Sequence, residues 1–574
     1  MNPTTKKLTR RTLLEYVPAI TALVAARGGA FAAAGAQTRQ QQPMRITKDE
    51  VKAALQLYAL AFTESQLDMM LQNVNSALGS YEALRKVDIP LDTEPAFRFS
   101  PALPGREPRP RPSVYRPSVA AKLVSFTDVE ELAFLPVTQL APLVRAKKVT
   151  STALTKMYLA RLKKYSPKLF NVITITEEHG LEQAARADAE IAGGHYRGPL
   201  HGIPYGVKDL LNTKGIRTTW GAEPFMNQVP TYNATVIDRL DNAGAVLVAK
   251  LSMGAMARGE RWFGGQTRNP WNPAEGSGGS SAGPASATAA GMVGFSVGSE
   301  TFGSILGPSS RCGVTGIRPT YGRVSRYGVM TLSWTMDKVG PLCRSAEDCA
   351  LVLHVIHGPD GKDLTVADAP FDFDATMPIS DLKIGYTKDE FEKVSGTNAD
   401  ELKKVYADAL DALRKAGAKL VPVELPATPS NNIRFIETSE ASAAFDDITR
   451  DGRVDLLSGQ GPGDWPNTFR AGRLIPAVEY IRAMRARTLL QRTMADFMDN
   501  WDVIVTPSSS ITVQIGNLIG CPEVAQPCGH LNGNSSQSIY FTGRPYEDGK
   551  PLRVAAAFEK ATNWDNMHPK MDWA

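Results

Sequence analysis

The sequence predicts an α/β fold in which a large mixed sheet is sandwiched between helices. Helical periods and short apolar strand patterns alternate along the chain, as in the helix-like run 151–165 that leads to the strand-like run 172–176. This alternation is typical of sheets with parallel or mixed pairing. Strand, helix and strand patterns over 382–423 form a βαβ unit and continue the same architecture. We therefore expect one large core domain over residues 123–574, with an accessory helical pair before it.

The composition supports a large globular core and argues against several classes of protein. The 574 residues are 43% hydrophobic, which is enough apolar material to bury a substantial interior. Sixty-four basic and 59 acidic residues leave a net charge of only +5, so nucleic acid is not expected as a partner. The five cysteines include no C-x-x-C pair with metal-site spacing. We expect neither a metal nor a cofactor.

The first 37 residues carry the pattern of a twin-arginine export signal. Arg10 and Arg11 precede an apolar run over 16–26, and Ala34-Gly35-Ala36 offers a small-residue cleavage site. An apolar run of about eleven residues is too short to cross a hydrocarbon layer some 30 Å thick, so no stable membrane anchor is expected. A disordered basic tail is the alternative. We expect residues 1–37 to be a signal peptide and the mature protein to be periplasmic or extracellular.

Two further segments precede the core. In the extension over 38–90, two capping boxes, Thr47 with Glu50 and Thr63 with Gln66, each open an apolar-periodic stretch and predict a pair of short helices. Residues 91–122 are rich in proline and arginine. Proline lacks the N–H that helices and sheets use, so we expect this stretch to join neither and to be a linker or a surface-wrapping arm.

The block 276–307 is the most informative part of the sequence. Sixteen of its thirty-two residues are Gly or Ser, yet it contains the apolar run 287–297, which a flexible linker would lack. Dense glycine lets backbone amides approach a ligand, and the serines become candidate nucleophiles. The block has no phosphate-binding loop pattern.

One local motif in this block suggests a hydrolase. Residues 279–283 satisfy G-x-S-x-G, which would place Ser281 on the nucleophile elbow of an α/β-hydrolase. The histidines available downstream are His354, His357, His530 and His568. However, no apolar strand leads into the motif, whereas an elbow requires strand, turn and helix.

Five ordered motifs together resemble the amidase signature family of serine hydrolases, and span about residues 130–350. They are Leu200–Asp209 (LHGIPYGVKD), Thr267–Asn272 (TRNPWN), Gly278–Ser281 (GGSS), Gly298–Ile305 (GSETFGSI) and Cys312–Thr320 (CGVTGIRPT). Residues 503–507 resemble the C-terminal strand of the family. The resemblance implies the amidase signature fold and hydrolysis of linear amides without a cofactor.

The resemblance also implies a Ser-Ser-Lys relay. Ser304 matches the nucleophile, Ser280 matches the bridging serine that follows a cis peptide bond, and Lys208 matches the base. The N–H groups of Thr301, Phe302, Gly303 and Ser304 would bind the tetrahedral oxyanion. Chemistry supports a buried lysine here, because only a neutral amine can accept a proton from serine and burial lowers the pKa of lysine. Lys208 lies in the mostly apolar run 203–211.

Residues 300–306 read Glu-Thr-Phe-Gly-Ser-Ile-Leu where the family's usual pattern is Asp-Thr-Gly-Gly-Ser-Ile-Arg, and the changes at Phe302 and Leu306 bear on the site. Phe302 stands where glycine is usual, so this position cannot require a positive φ, and its ring could form an apolar wall beside the scissile carbonyl. Leu306 stands where arginine is usual, so substrates bearing a carboxylate are less expected. Arg311, a few residues on, could substitute for the missing guanidinium.

The sequence therefore predicts an exported amidase that forms an acyl-enzyme on Ser304 and acts on a small-molecule amide. Three alternatives remain open: an esterase that uses Ser281 with a downstream histidine, a secreted binding protein that keeps the fold without activity, and a component of a tRNA-dependent amidotransferase. The export signal and the modest net charge oppose the last. The oligomeric state, including a homodimer, is left open.

Overall fold

The computed structural model describes residues 44–87, 91, 93, 98–118 and 123–572. The chain divides into two compact units, Met1–Asp88 and Ile89–Ala574. The predicted signal peptide over 1–37 lies outside the described residues, so its assignment stays a prediction. No helix in the described ranges is long and apolar enough to cross a membrane.

The described part of the first unit is a pair of helices. They are α1 (Lys48–Leu57) and α2 (Glu64–Leu84). Both predicted capping boxes are present: the N-cap side chains of Thr47 and Thr63 accept hydrogen bonds from the amides of Glu50 and Gln66. Each box satisfies backbone donors at a helix start that have no partner inside the helix.

The second unit alternates helices and strands, as the sequence pattern predicted. Its α-helices are α3 (Val137–Arg145), α4 (Ser151–Leu169), α5 (Glu177–Ala192), α6 (Thr235–Asn242), α7 (Ala282–Ala289), α8 (Leu306–Cys312), α9 (Ala346–Ile356), α10 (Lys388–Glu392), α11 (Ala399–Lys415), α12 (Phe435–Ala444), α13 (Asp446–Arg450), α14 (Trp465–Gly472), α15 (Ala477–Met498), α16 (Thr512–Ile519) and α17 (Gly549–Ala561). Its strands are β1 (Tyr115–Arg116), β2 (Val172–Ile175), β3 (Pro204–Lys208), β4 (Val246–Leu251), β5 (Arg261–Trp262), β6 (Gly265–Gln266), β7 (Arg268–Asn269), β8 (Asn272–Gly276), β9 (Phe295–Glu300), β10 (Thr315–Arg318), β11 (Lys338–Cys343), β12 (Phe373–Asp374), β13 (Ile384–Tyr386), β14 (Leu420–Pro422), β15 (Val503–Pro507), β16 (Glu523–Leu531) and β17 (Ser535–Gly543).

Within the described residues, eleven strands form one mixed sheet, in the order β14-β13-β15-β17-β16-β10-β11-β9-β3-β4-β2. The pairs β3–β4, β3–β9, β13–β14 and β13–β15 are parallel, and the other pairs are antiparallel. Helices pack on this sheet, among them α5 on β4, α9 on β11 and α17 on β17. The predicted fold class is therefore confirmed. Strands β3 and β9, which carry the candidate site, are neighbours inside the sheet and buried along their length.

The proline-rich segment differs from the expectation in one respect. Residues 98–118 lie along the second unit, where β1 pairs in parallel with β12, although we expected no strand there. The strand is possible because the arm contributes acceptors: the carbonyls of Val114 and Arg116 accept from the amides of Phe373 and Ala375. Those carbonyls are available whether or not proline flanks them. Arg106 also forms a 2.5 Å ion pair with Asp499.

The apolar run 287–297 is not one element. It divides between the end of α7 and the start of β9, and the chain turns at Gly291. Cys312 is the last residue of α8, and Gly313 ends that helix in the left-handed conformation. Glycine is the residue that adopts this conformation without a Cβ penalty.

Candidate active site

Lys208 is the last residue of β3 and its side chain is fully buried. Its Nζ lies 2.8 Å from Oγ of Ser280 and 3.0 Å from Oγ of Ser299, and it donates to the carbonyl oxygen of Ser299 at 3.3 Å. The parallel register of β3 with β9, which aligns Val207 with Val297, brings the end of β3 to this part of β9. The amine is therefore surrounded by hydroxyl and carbonyl oxygens and forms no ion pair with any described residue.

Burial dominates the electrostatics of this amine. Because the charged form loses its hydration, burial lowers the pKa of Lys208 to about 7, while the charges of Asp337 and Glu300 oppose the shift. An ordinary lysine has a pKa near 10.4 and is almost entirely protonated at pH 7. Lys208 is neutral in about half of the molecules at that pH, so it can act as a base.

The glycine-rich turn before α7 places Ser280 against Lys208. The peptide bond between Gly279 and Ser280 is cis, as the resemblance implied. A Cβ at Gly279 would lie 1.8 Å from the carbonyl oxygen of Gly259, so only glycine fits where these two backbone segments meet. The Glu260 carboxylate accepts a hydrogen bond from the amide of Gly278 and fixes the turn further.

Ser304 lies in the turn that joins β9 to α8, and it is half-buried. Its carbonyl oxygen accepts a 3.0 Å hydrogen bond from the amide of Ser281, which places the backbone of Ser304 beside the Ser280 turn. Gly303 adopts a φ of +93°, which turns the backbone just before the serine. The hydroxyl of Thr301 donates to the Asp337 carboxylate at 2.5 Å and anchors the start of the turn.

A buried carboxylate secures the other end of this turn. One oxygen of Glu300 accepts from the amides of Ile305 and Leu306, at 2.8 and 3.0 Å. Its other oxygen accepts from Arg318 at 3.1 Å and from Asn517 at 2.8 Å. Burial alone would raise the pKa of Glu300, but Arg318 and Lys338 hold it below its usual value. The carboxylate is therefore charged and stabilises the first turn of α8, directly after Ser304.

The motif order, the fold and this geometry agree with the comparisons to known proteins. A model of the Amidase family matches residues 153–520. The chain belongs to this family. It is 33% identical over 490 residues to a glutamyl-tRNA(Gln) amidotransferase subunit of Carboxydothermus hydrogenoformans, an alignment that covers 77% of this chain and 100% of the relative. The protein of the same name from Roseiflexus sp. is 35% identical, with 74% of this chain and 95% of the relative covered.

Solved structures of the amidase family share the fold. The native peptide amidase of Stenotrophomonas maltophilia superposes with a TM-score of 0.68 at 28% identity, covering 77% of this chain and 100% of that chain. A glutamyl-tRNA(Gln) amidotransferase subunit of Thermotoga maritima gives a TM-score of 0.62 at 26% identity, with coverage of 77% and 98%. The protein is therefore an amidase-family enzyme that hydrolyses carbon–nitrogen amide bonds.

Phe302 and Leu306, which stand where the amidase pattern has glycine and arginine, occupy distinct environments. Phe302 avoids a positive φ, which the neighbouring Gly303 adopts instead. The ring of Phe302 is half-buried, and the Arg434 guanidinium lies 4.9 Å from its centroid. Leu306 is fully buried and packs with Ala525 and Tyr540.

Arg311 is the residue that we expected could supply the guanidinium missing at position 306. It is exposed, and its Nε donates to the carbonyl of Gly276 at 2.9 Å. Leu306 is packed in the interior and Arg311 lies at the surface, so the two side chains occupy different environments, and a role of Arg311 in place of the missing guanidinium stays a prediction.

Ser281, the serine of the G-x-S-x-G motif, does not have the environment that the nucleophile of an α/β-hydrolase requires. Ser281 is fully buried; its Oγ donates to the carbonyl of Ser299 at 3.0 Å and accepts from the amide of the same residue at 3.2 Å. Among the described residues, no histidine forms a hydrogen bond with it. His357, for example, lies 3.3 Å from Ser113 instead. Ser281 thus stabilises the packing of α7 on β9.

Ser299, like Glu300 and Asp337, is a polar residue of the site that the sequence analysis did not single out. It lies five positions before Ser304, on the strand beside Lys208, and its hydroxyl adds a second oxygen to the amine. Asp209, adjacent to Lys208 in sequence, pairs instead with Lys250 at 3.6 Å, as expected for a side chain on the opposite face of a strand. In the described part of the chain, no group of three His, Cys, Asp or Glu side chains could hold a metal ion.

Proposed function

We propose that the protein hydrolyses linear amides through an acyl-enzyme on Ser304, with Lys208 as base and Ser280 as the bridging hydroxyl. Neutral Lys208 accepts the proton of Ser280 while Ser280 accepts that of Ser304, whose Oγ attacks the carbonyl carbon. The same protons return to the leaving amine as the carbon–nitrogen bond breaks. Water then attacks the acyl-enzyme by the same relay and releases the carboxylic acid.

The observation that carries the proposal is the buried amine 2.8 Å from a serine hydroxyl. A pKa of about 7 raises the neutral fraction at pH 7 more than 1000-fold over that of an ordinary lysine. Asp209, the nearest carboxylate in sequence, is engaged by Lys250 and does not pair with this amine. The relay therefore has a base that is available near neutral pH.

The backbone between β9 and α8 supports the assignment of the oxyanion donors. Thr301, Phe302 and Gly303, with Ser304, form the turn that Asp337 and Glu300 anchor at its two ends. A turn fixed in this way offers its N–H groups without reorganisation. Losing one such donor typically costs about 3 to 4 kcal/mol of barrier height.

Covalent labelling tests the assignment directly. A fluorophosphonate probe should label the wild type on Ser304, and Ser304→Ala should abolish the label. Lys208→Ala and Ser280→Ala should slow labelling by several orders of magnitude, because each breaks the relay. Ser281→Ala should still be labelled. Labelling of Ser281 in the Ser304→Ala variant would favour the esterase alternative, and an unlabelled wild type would favour the non-catalytic one.

The relatives named as glutamyl-tRNA(Gln) amidotransferase subunits favour a second candidate, a component of an amidotransferase. Activity on a panel of amides separates the two. Hydrolysis of peptide amides and anilides by the chain on its own supports the stand-alone amidase. Turnover restricted to glutamine, and dependent on added partner proteins, would support the second candidate.

We also propose that the protein is exported, on the pattern in residues 1–37. Fractionation of cells that express the full chain should find the wild type outside the cytoplasm. Replacing Arg10 and Arg11 by lysine should retain it inside. An unchanged distribution would contradict the export proposal and leave the catalytic one unaffected.

A further inference from the structure

Lys338, the first residue of β11, carries a buried amine that the proposed relay does not use. Lys338 is 2% exposed, and its Nζ donates to Oδ1 of Asn517 at 2.6 Å. In the described part of the chain it forms no ion pair with a carboxylate. Burial lowers the pKa of Lys338, because the charged form loses its hydration. The fold therefore retains a polar group here at a cost in stability.

The start of β11 lies beside both ends of the proposed oxyanion turn. Asp337, one residue before the strand, accepts from the hydroxyl of Thr301 at 2.5 Å. Lys338 is paired with Glu300 across the antiparallel strands β11 and β9. Residues that face each other in such a pair direct their side chains to the same side of the sheet. The amine therefore lies on the same side of the sheet as the carboxylate that secures the end of the turn.

Asn517, on α16, joins this amine to the carboxylate. It is fully buried, and its Nδ2 donates to Oε1 of Glu300 at 2.8 Å and to the carbonyl of Val513 at 2.9 Å. Its Oδ1 can only accept, and it accepts from Lys338. An amine has N–H groups to donate whether or not it is protonated. Lys338 therefore fixes the Asn517 amide in the orientation that directs its N–H groups towards Glu300.

Glu300 transmits this constraint to the backbone around Ser304. Its second oxygen accepts from the amides of the two residues that follow Ser304, at 2.8 and 3.0 Å. A second contact joins α16 to the turn, since a Cβ at Gly303 would lie 3.5 Å from Cγ1 of Val513. A carboxylate that rotates would release the two amides and let the oxyanion donors shift. A misplacement of about 1 Å can lower the rate of an enzyme about 100-fold.

We propose that Lys338 is a positioning residue for amide hydrolysis: through Asn517 it orients the Glu300 carboxylate and so fixes the oxyanion turn at Ser304. This inference rests on the proposed function. Neither Lys338 nor Asn517 belongs to the relay or to the oxyanion donors. Their loss should therefore weaken stabilisation of the transition state and leave binding of the substrate in its ground state nearly unchanged.

Lys338→Met tests the proposal, because methionine is similar in length and has no N–H to donate. The measurements are kcat and KM on a chromogenic anilide, and Ki of a trifluoromethyl ketone with the same acyl group. The ketone adds Oγ of Ser304 to its carbonyl carbon and places a negative oxygen among the oxyanion donors. We expect kcat to fall about 10- to 100-fold. KM should stay within about twofold, and Ki should rise by the same factor as kcat/KM falls.

Two further variants separate the hydrogen bond from the other properties of the lysine. Lys338→Gln keeps an N–H donor on a shorter side chain, so its kcat and Ki should lie between those of Lys338→Met and the wild type. Asn517→Asp keeps the size of the side chain but turns a carboxylate towards Glu300, where the amide now donates at 2.8 Å. The like charges repel, so kcat and the affinity for the ketone should fall in parallel.

Thr315→Val is the matched control. Thr315 is also buried in the sheet, and its hydroxyl lies 3.0 Å from both Gln526 and Glu559, outside the network of Lys338, Asn517 and Glu300. This variant should lower the thermal midpoint while kcat and Ki stay at the wild-type values. Unchanged kcat and Ki in Lys338→Met and Asn517→Asp would overturn the inference, and so would a lower kcat with an unchanged Ki. Failure of the proposed function would look different, because the fluorophosphonate would then not label the wild type on Ser304.

Discussion

Replacing Lys208 with methionine should make the folded protein more stable while it abolishes hydrolysis. The wild-type fold holds an amine whose pKa drops from 10.5 in the unfolded chain to about 7. At pH 7 the folded state binds fewer protons than the unfolded state, which costs about 4 kcal/mol of stability by proton linkage. Methionine removes this cost and is similar in length.

The substitution also removes the partner of two hydroxyl groups. Ser280 and Ser299 lose the amine, and each lost hydrogen bond costs about 1 kcal/mol. The net expectation at pH 7 is a gain of about 2 kcal/mol in the free energy of unfolding. Urea unfolding of both proteins, monitored by fluorescence, measures this difference in the free energy of unfolding.

The pH dependence of the free energy of unfolding is an independent check on the sign of this effect. Between pH 7 and 10.5 the unfolded state binds the extra proton, so wild-type stability rises with pH through this window. The cost of burying Lys208 should shrink by about 2 kcal/mol between pH 7 and pH 9, and the advantage of the methionine variant should shrink equally.

Lys250→Met is the control. Lys250 is also fully buried, and its pKa is lowered to about 8, but it pairs with Asp209 at 3.6 Å. Removing it leaves an uncompensated buried carboxylate, so this variant should be less stable by about 3 to 5 kcal/mol. The reasoning fails if Lys208→Met is less stable than the wild type at pH 7, or if its stability difference does not change with pH.

Three further substitutions have defined outcomes. Glu300→Gln should destabilise the protein by about 3 kcal/mol, because Arg318 is buried between Glu300 and Glu523, and urea unfolding checks it. Ser281→Ala should cost about 1 to 2 kcal/mol through its two lost bonds to Ser299 while labelling of Ser304 persists, which mass spectrometry verifies. Gly279→Ala should eliminate labelling, since its Cβ would lie 1.8 Å from the Gly259 carbonyl; normal labelling would contradict the close approach.

Local patterns were sufficient for much of the fold. The capping boxes at Thr47 and Thr63 join residues only three positions apart, so they can be predicted from the sequence alone. The strand at 172–175 and the helix at 399–415 follow from apolar periodicity. The strand β1 was missed because it depends on a partner strand more than 250 residues away, and no local signal records that pairing.

The candidate site was predictable only through ordered motifs. The apolar run around Lys208 predicted that the side chain is buried, but it could not show which oxygen atoms form hydrogen bonds with the amine. The contact with Ser299 arises from the register of β3 against β9, a tertiary property.

The rate of Ser304 labelling as a function of pH tests the central claim most directly. An uncharged fluorophosphonate should label the wild type slowly at pH 5, and the rate should rise through a single acidic limb near pH 7 and level off above it, as Lys208 loses its proton. A rate that is independent of pH between 5 and 9, or one that keeps rising toward pH 10, would show that no buried neutral lysine activates the serine.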